Sequence, residues 1–190
     1  MNSSLSIKRV KAFIIDYLII LIYIGLLFGV TLFVFFLLKI KPAHISPVTG
    51  EMIGFLSLTV PVVLYFSILE NGKYLGTIGK RKMGLCVVSN KMSKPGFGQI
   101  LFRNIIKFLP WELAHFFIYR LFYFDSVNKP VPGWVLAGLI IAQVIALVYL
   151  FCMLIHRNKQ GIYELLSQTR VIANDSPEND FPFPTFTGSK

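Results

Sequence analysis

Three stretches of this sequence are longer and more apolar than a small water-soluble domain accommodates. Ala12 to Leu38 is interrupted by a single charge, Asp16. Met52 to Leu69 runs 18 residues without a charge, and Gly133 to Ile155 runs 23 with one polar amide, Gln143. As a helix rising about 1.5 Å per residue, the first stretch reaches ~40 Å, enough to cross a hydrocarbon core with some tilt. Pro61 inside the second is tolerable because neighbouring groups in a membrane bundle re-satisfy the freed carbonyl. Composition agrees. Only 15% of the 190 residues are charged against 55% hydrophobic, whereas an average soluble protein carries about 25% charged residues.

A fourth stretch, Ile100 to Phe124, is aromatic-rich but holds Arg103, Lys107, Glu112, His115 and Arg120, with Pro110 near its centre. It reads either as a kinked span packed inside a bundle or as an interfacial helix with its charges in water. Charge placement favours a span. The chain carries 19 Lys and Arg against 9 Asp and Glu, a formal charge of +10. The excess gathers at Lys8, Arg9 and Lys11, then at Lys73, Lys80, Arg81, Lys82, Lys91 and Lys94 beside the lone carboxylate Glu70, and finally at His156, Arg157, Lys159 and Arg170. All three groups fall on the cytoplasmic side only if 100–124 crosses the bilayer. The expected fold class is therefore all-α: a polytopic membrane helical bundle of four transmembrane helices, the third kinked or partly interfacial. The membrane domain is expected over 1–173 and a disordered cytoplasmic tail over 174–190, whose Pro, Asn, Asp and Ser cannot build a core. Both termini are expected in the cytoplasm, in the cell membrane. The basic residues before the first span resemble the start of a signal peptide, but the apolar run far exceeds an h-region of about 7–15 residues.

Asp16 is the most informative residue. A carboxylate within a membrane helix costs roughly 2.5–3.5 kcal/mol on insertion scales and normally faces protein or water. Arg9, Ala12, Asp16 and Tyr23 share one helical stripe, although Arg9 is two turns away, about 10 Å along the axis. Two readings stay open, a proton or cation site near the cytoplasmic mouth and a structural pin bonded to another helix. Gly25 and Gly29 form a GxxxG pair, and Gly138, Ala142 and Ala146 a small-xxx-small ridge; both suit close helix packing, within the chain or between copies. The run Gly72 to Lys80 is not a phosphate-binding loop, because Tyr74 takes the first glycine position and Arg81 follows Lys80. Its glycines are expected to shape a tight turn, with Lys80, Arg81 and Lys82 suited to anionic lipid headgroups.

Other classes are disfavoured. The charge sits at span ends rather than on one soluble face, which argues against nucleic acid. Cys86 and Cys152 have no metal-like spacing with His44, His115 or His156, so no metal, cofactor or disulfide is expected. No nucleophile motif points to an enzyme. The expected partners are the lipid bilayer and its anionic headgroups, with a homo-oligomer or a membrane partner protein.

Several segments together resemble one family. Arg9-Val-Lys-Ala-Phe-Ile-Ile-Asp16 is similar to the first signature of the RDD family of small membrane proteins, named for one arginine and two aspartates. Gly76-Thr77-Ile78-Gly79-Lys80 followed by Gly84-Leu85-Cys86-Val87-Val88 resembles its Gly-x-Thr-x-Gly-Lys…Gly-Leu-x-Val segment, and Arg103 suits the arginine that opens the following helix. Tyr163 to Ile172 resembles the closing Asp-Leu-Leu-x-x-Thr-x-Val-Val motif, with Glu164 at the second aspartate position. The resemblance covers roughly residues 7–173. It implies transport, with sodium–proton exchange suggested for some members, and an ionic site built on Asp16, Arg9 and Glu164. Arg103, Thr77 and Lys80 are the expected supporting polar network. An accessory or regulatory membrane subunit that binds a partner or anionic lipid is the competing expectation.

Overall fold

The computed structural model describes residues 2–39, 46–155 and 160–173. The tail expected over 174–190 and the basic residues 156–159 lie outside the described residues. The chain is mainly helical: α1 (Asn2–Leu37), α2 (Pro47–Gly54), a π-helical turn (Phe55–Thr59), α3 (Val60–Asn71), α4 (Ile78–Lys82), α5 (Phe97–Ser126), α6 (Gly133–Ile155) and α7 (Ile162–Leu166). Three segments are long and apolar enough to cross a membrane, Leu5–Leu37, Pro47–Asn71 and Gly133–Met153. They overlap nearly all of the three stretches picked out above. The stretch expected as the fourth span lies within α5, a 30-residue helix with Pro110 inside it that is not one of these three.

The all-α expectation needs one amendment. Leu85–Ser89 (β1) and Thr169–Ala173 (β2) pair antiparallel, Leu85 opposite Ala173 and Ser89 opposite Thr169. Leu85, Val87 and Val88 are apolar and mostly β-branched, which suits a pleated buried strand. Gly84 enters β1 at φ 63, a backbone state that costs glycine little. Two five-residue strands so far apart in sequence are not separable from loop by periodicity, which is why they escaped the reading above.

The described chain divides into two compact units. Of the described residues, the first comprises 2–17, 63–107, 149–155 and 160–173, and the second 18–39, 46–62 and 108–148. In the first unit, Ala12, Leu85, Val87, Ile100 and Val171 form one buried apolar cluster, and Leu75, Cys86 and Val88 another. The strand pair thus presents one face to each cluster, as its period of two requires.

In the second unit, Ser46 caps α2 by accepting the Thr49 N–H at 3.1 Å, and Pro47 follows it. Ser46 at the cap and Pro at the first position are a favoured start for a helix. Pro61 withholds the N–H that Ser57 O would meet in a regular α-helix. The Tyr23 hydroxyl donates to that carbonyl at 2.5 Å instead. Gly138 packs face-on against Phe117, whose ring occupies the place of any Cβ there, and Ala142 is 1% exposed. The small-residue ridge is therefore a packing surface at those two positions, whereas Ala146 is exposed. Gly25 and Gly29 meet nothing within 4 Å of a Cβ position, so this GxxxG pair packs against no described part of the chain.

Candidate functional site: a buried ionic network

The first unit gathers the charged residues that the apolar stretches lack. Asp16, on α1, is 2% exposed. Its Oδ2 accepts the Thr77 hydroxyl at 2.5 Å and its Oδ1 accepts the Gly79 N–H at 2.9 Å. Tyr65 OH approaches Oδ1 at 3.4 Å. Thr77 is the N-cap of α4, so Asp16 adds a second acceptor to the same helix start from a distant part of the chain. A carboxylate there is favoured because it meets N–H groups that have no partner inside the helix. The close approach requires glycine at 79. A Cβ would collide with the Ala12 carbonyl oxygen and lie 2.9 Å from the Asp16 carboxyl.

Lys80 carries the chain of contacts onward. Its Nζ donates to Glu70 Oε1 at 2.8 Å and lies 3.5 Å from Thr77 Oγ1. Glu70 also accepts from Arg103 Nη1 at 2.5 Å and from Asn104 Nδ2 at 3.2 Å, while Asn104 reaches Ser67 Oγ at 3.3 Å. Arg103 Nη2 then donates to Glu164 Oε1 at 3.2 Å, where Arg9 Nη2 also arrives at 2.6 Å. Glu164 Oε2 accepts the Gly161 N–H at 2.9 Å, tying the carboxylate to the start of α7. The Tyr163 ring lies 5.1 Å from the Arg103 guanidinium, and Lys107 Nζ sits 3.5 Å over the Phe66 ring. Such faces attract cations through the ring quadrupole.

Three carboxylates and three cations thus form one continuous buried series: Asp16, Thr77, Lys80, Glu70, Arg103, Glu164, Arg9. Glu70, Glu164 and Arg103 are essentially inaccessible. Burial works to raise the pKa of Glu164, and the Arg9 and Arg103 guanidiniums together overcome it, leaving it below the ordinary value of 4.5. Two atoms keep hydrogen-bonding capacity: Arg103 Nε and Asn104 Oδ1 have no partner among the described residues. Cys86 is no nucleophile, since burial pushes its thiol up to about 11.

All six expected polar residues, Asp16, Arg9, Glu164, Arg103, Lys80 and Thr77, enter the network. Arg9 pairs with Glu164, 155 positions away, in keeping with its distance of two helical turns from Asp16. One detail differs from expectation. Lys80 is 9% exposed and turned onto Glu70, so it does not stand beside Arg81 and Lys82 as a headgroup contact. Arg81 instead stacks on Tyr74 at 3.9 Å, and Lys82 is exposed.

Sequence reading missed the hub. Glu70 was visible only as the single acid in a basic stretch, and that isolation was its available signal. Asn104 and Ser67 carried none. No group of three or more His, Cys, Asp or Glu side chains able to hold a metal ion occurs among the described residues.

The comparisons agree with the motifs. The family model described as RDD family matches residues 5–168, a span that includes every member of the network. No match was found among curated proteins or among solved structures. With the signature residues joined in one buried network and the family model covering most of its length, the chain belongs to the RDD family.

Proposed function

We propose that this RDD-family membrane protein moves an ion or small solute across the cell membrane, with Asp16 as the carboxylate that exchanges a proton or cation. The observation that carries the reading is the buried series from Asp16 to Arg9, anchored on a helix long and apolar enough to span. Ionisable groups in such segments are costly and point by default to a transport or proton pathway. Loss of charge at Asp16 weakens its hold on Thr77 and Gly79 and so frees the start of α4, which positions Lys80 over Glu70. Arg103 Nε and Asn104 Oδ1 offer one donor and one acceptor to a polar guest.

Four spans, with α5 as the third, and both termini in the cytoplasm complete the proposal; the positive-inside preference supports it. The exposed Lys73, Lys82, Lys91 and Lys94 suit anionic headgroups at roughly 1 kcal/mol each. A path lined by so few helices favours an oligomer, and the open Gly25 and Gly29 leave a face for a second copy. No enzymatic step is part of this reading.

A different observation favours the second reading, a non-transporting accessory or regulatory subunit. Each carboxylate of the network already meets its donors, and such a balanced cluster fixes helix order without moving anything. Flux in vesicles containing purified protein separates the two. Wild type is expected to exchange protons under a cation gradient, and Asp16→Asn, verified as folded, to lose at least about 90% of it. Absence of flux from wild type under several cation gradients sinks the transporter and leaves the accessory subunit.

A further inference from the structure

The second unit holds an ionisable cluster that the network above does not use. Glu112 and His115 lie three residues apart on α5, on one face of the helix. Glu112 Oε2 accepts the Thr59 hydroxyl at 2.6 Å, and His115 Nδ1 stands 3.8 Å from that same oxygen. Thr59 is the last residue of the π-helical turn, 6% exposed; such turns recur at functional positions because they re-aim side chains. Trp111 meets the His115 ring edge-on with centroids 4.9 Å apart, and Tyr119 lies on its other side at 6.3 Å. Tyr119 is wedged against Gly50 and Gly54, where any Cβ would strike its ring or hydroxyl.

The remaining ionisable groups of this region are accounted for. Glu51 and Arg120 neutralise each other at 3.0 Å, and the Tyr23 hydroxyl is spent on the Ser57 carbonyl. His115 Nδ1 is buried and has no hydrogen-bond partner among the described residues. A neutral imidazole carries one N–H, on Nδ1 or Nε2, so the ring can take up one further proton beside the carboxylate. With both groups unprotonated, the pair carries one net negative charge among aromatic and aliphatic side chains. One proton makes it neutral overall, either as an imidazolium facing a carboxylate or as an imidazole facing a carboxylic acid.

We propose that Glu112 and His115 form a one-proton binding site, with Thr59 holding the carboxylate in place. The site lies in a different compact unit from the ionic network. It extends the transport reading by adding a second titratable group, yet its test needs no flux.

Trp111 supplies the readout, because an imidazolium quenches indole emission more strongly than the neutral ring does. The chain has two tryptophans, so Trp134→Phe leaves Trp111 as the sole tryptophan, excited selectively at the red edge beyond tyrosine absorption. In this parent, emission is expected to fall through a one-proton transition as the pH is lowered from neutral into the acid range. His115→Gln is expected to abolish the transition. Glu112→Gln, shown folded by circular dichroism and gel filtration, is expected to move the midpoint down by about one pH unit or more, since an opposite charge at this range is worth that much. Thr59→Val removes the donor to the carboxylate and is expected to move the midpoint up. Emission that stays flat in the parent, or an unchanged midpoint in Glu112→Gln, overturns the proposal. If Glu112→Gln does not fold, a Thr59→Val midpoint equal to the parent's overturns it.

Discussion

Glu164 illustrates how a buried charge is held. It receives two guanidiniums and a backbone N–H, so its removal strands Arg9 and Arg103 without their shared acceptor. Replacing it by glutamine is expected to destabilise the protein by about 3–5 kcal/mol, the usual cost of breaking a buried pair on one side, read as a lower thermal midpoint in detergent. Glu164→Asp keeps the charge but shortens the reach, and a loss smaller than that of the glutamine variant is expected. The pH dependence follows from the depressed pKa of Glu164. Its unfolded form binds a proton more readily than its folded form, so its contribution is complete above about pH 4.5 and disappears as the pH falls through the lower folded value. A thermal midpoint that drops below pH 4.5 in wild type, but does so less steeply in the glutamine variant, is the expected pattern. At Gly79 the reasoning is steric. Gly79→Ala forces a methyl toward the Ala12 carbonyl and the Asp16 carboxyl, with an expected cost of about 1–3 kcal/mol, visible by the same melting measurement.

At the scale of elements, the segment Pro47–Asn71 shows how an apolar helix absorbs a proline. Pro61 deprives Ser57 of its usual donor, and Tyr23 from α1 supplies a replacement. Tyr23→Phe is expected to cost about 1 kcal/mol, because it leaves a partly buried carbonyl short of a partner. In a Pro61→Ala background the backbone donor returns, and the cost of Tyr23→Phe is expected to shrink by at least half; a double-mutant cycle on thermal stability measures the difference. The strand pair makes a separate point. Cys86 lies within β1 and is buried, with its thiol pushed to about 11. In Cys152→Ser protein, maleimide labelling near neutral pH is expected only after denaturation, and prompt labelling of the native form would contradict the burial.

For the whole molecule, the distribution of basic residues predicts its orientation. A reporter inserted near Lys129, between α5 and α6, is expected on the extracytoplasmic side, and a cytoplasmic signal there refutes the four-span arrangement. The same chain-wide view explains the low count of acids. With 9 acidic residues against 19 basic ones, a carboxylate enclosed by cations carries more information than a lysine at a span end. Three of the nine are enclosed in the first unit. Glu51 and Glu112 of the second unit are partly buried as well.

Hydrophobic run length and charge spacing by themselves determined the class of protein and three apolar helices, since both are local properties that survive without a fold. Asp16 was legible too, as a charge inside an apolar stretch, and Arg9, Thr77, Lys80, Arg103 and Glu164 through their resemblance to the family's motifs. Their pairing was not. Whether Arg9 meets Asp16 or Glu164, and that Glu70 joins Lys80 to Arg103, depends on which distant segments come within a few ångströms. Only the tertiary structure decided that, along with the β1–β2 register and the meeting of Thr59 with Glu112. The physical reason is that a hydrogen bond or ion pair acts over a few ångströms of space and is indifferent to distance along the chain.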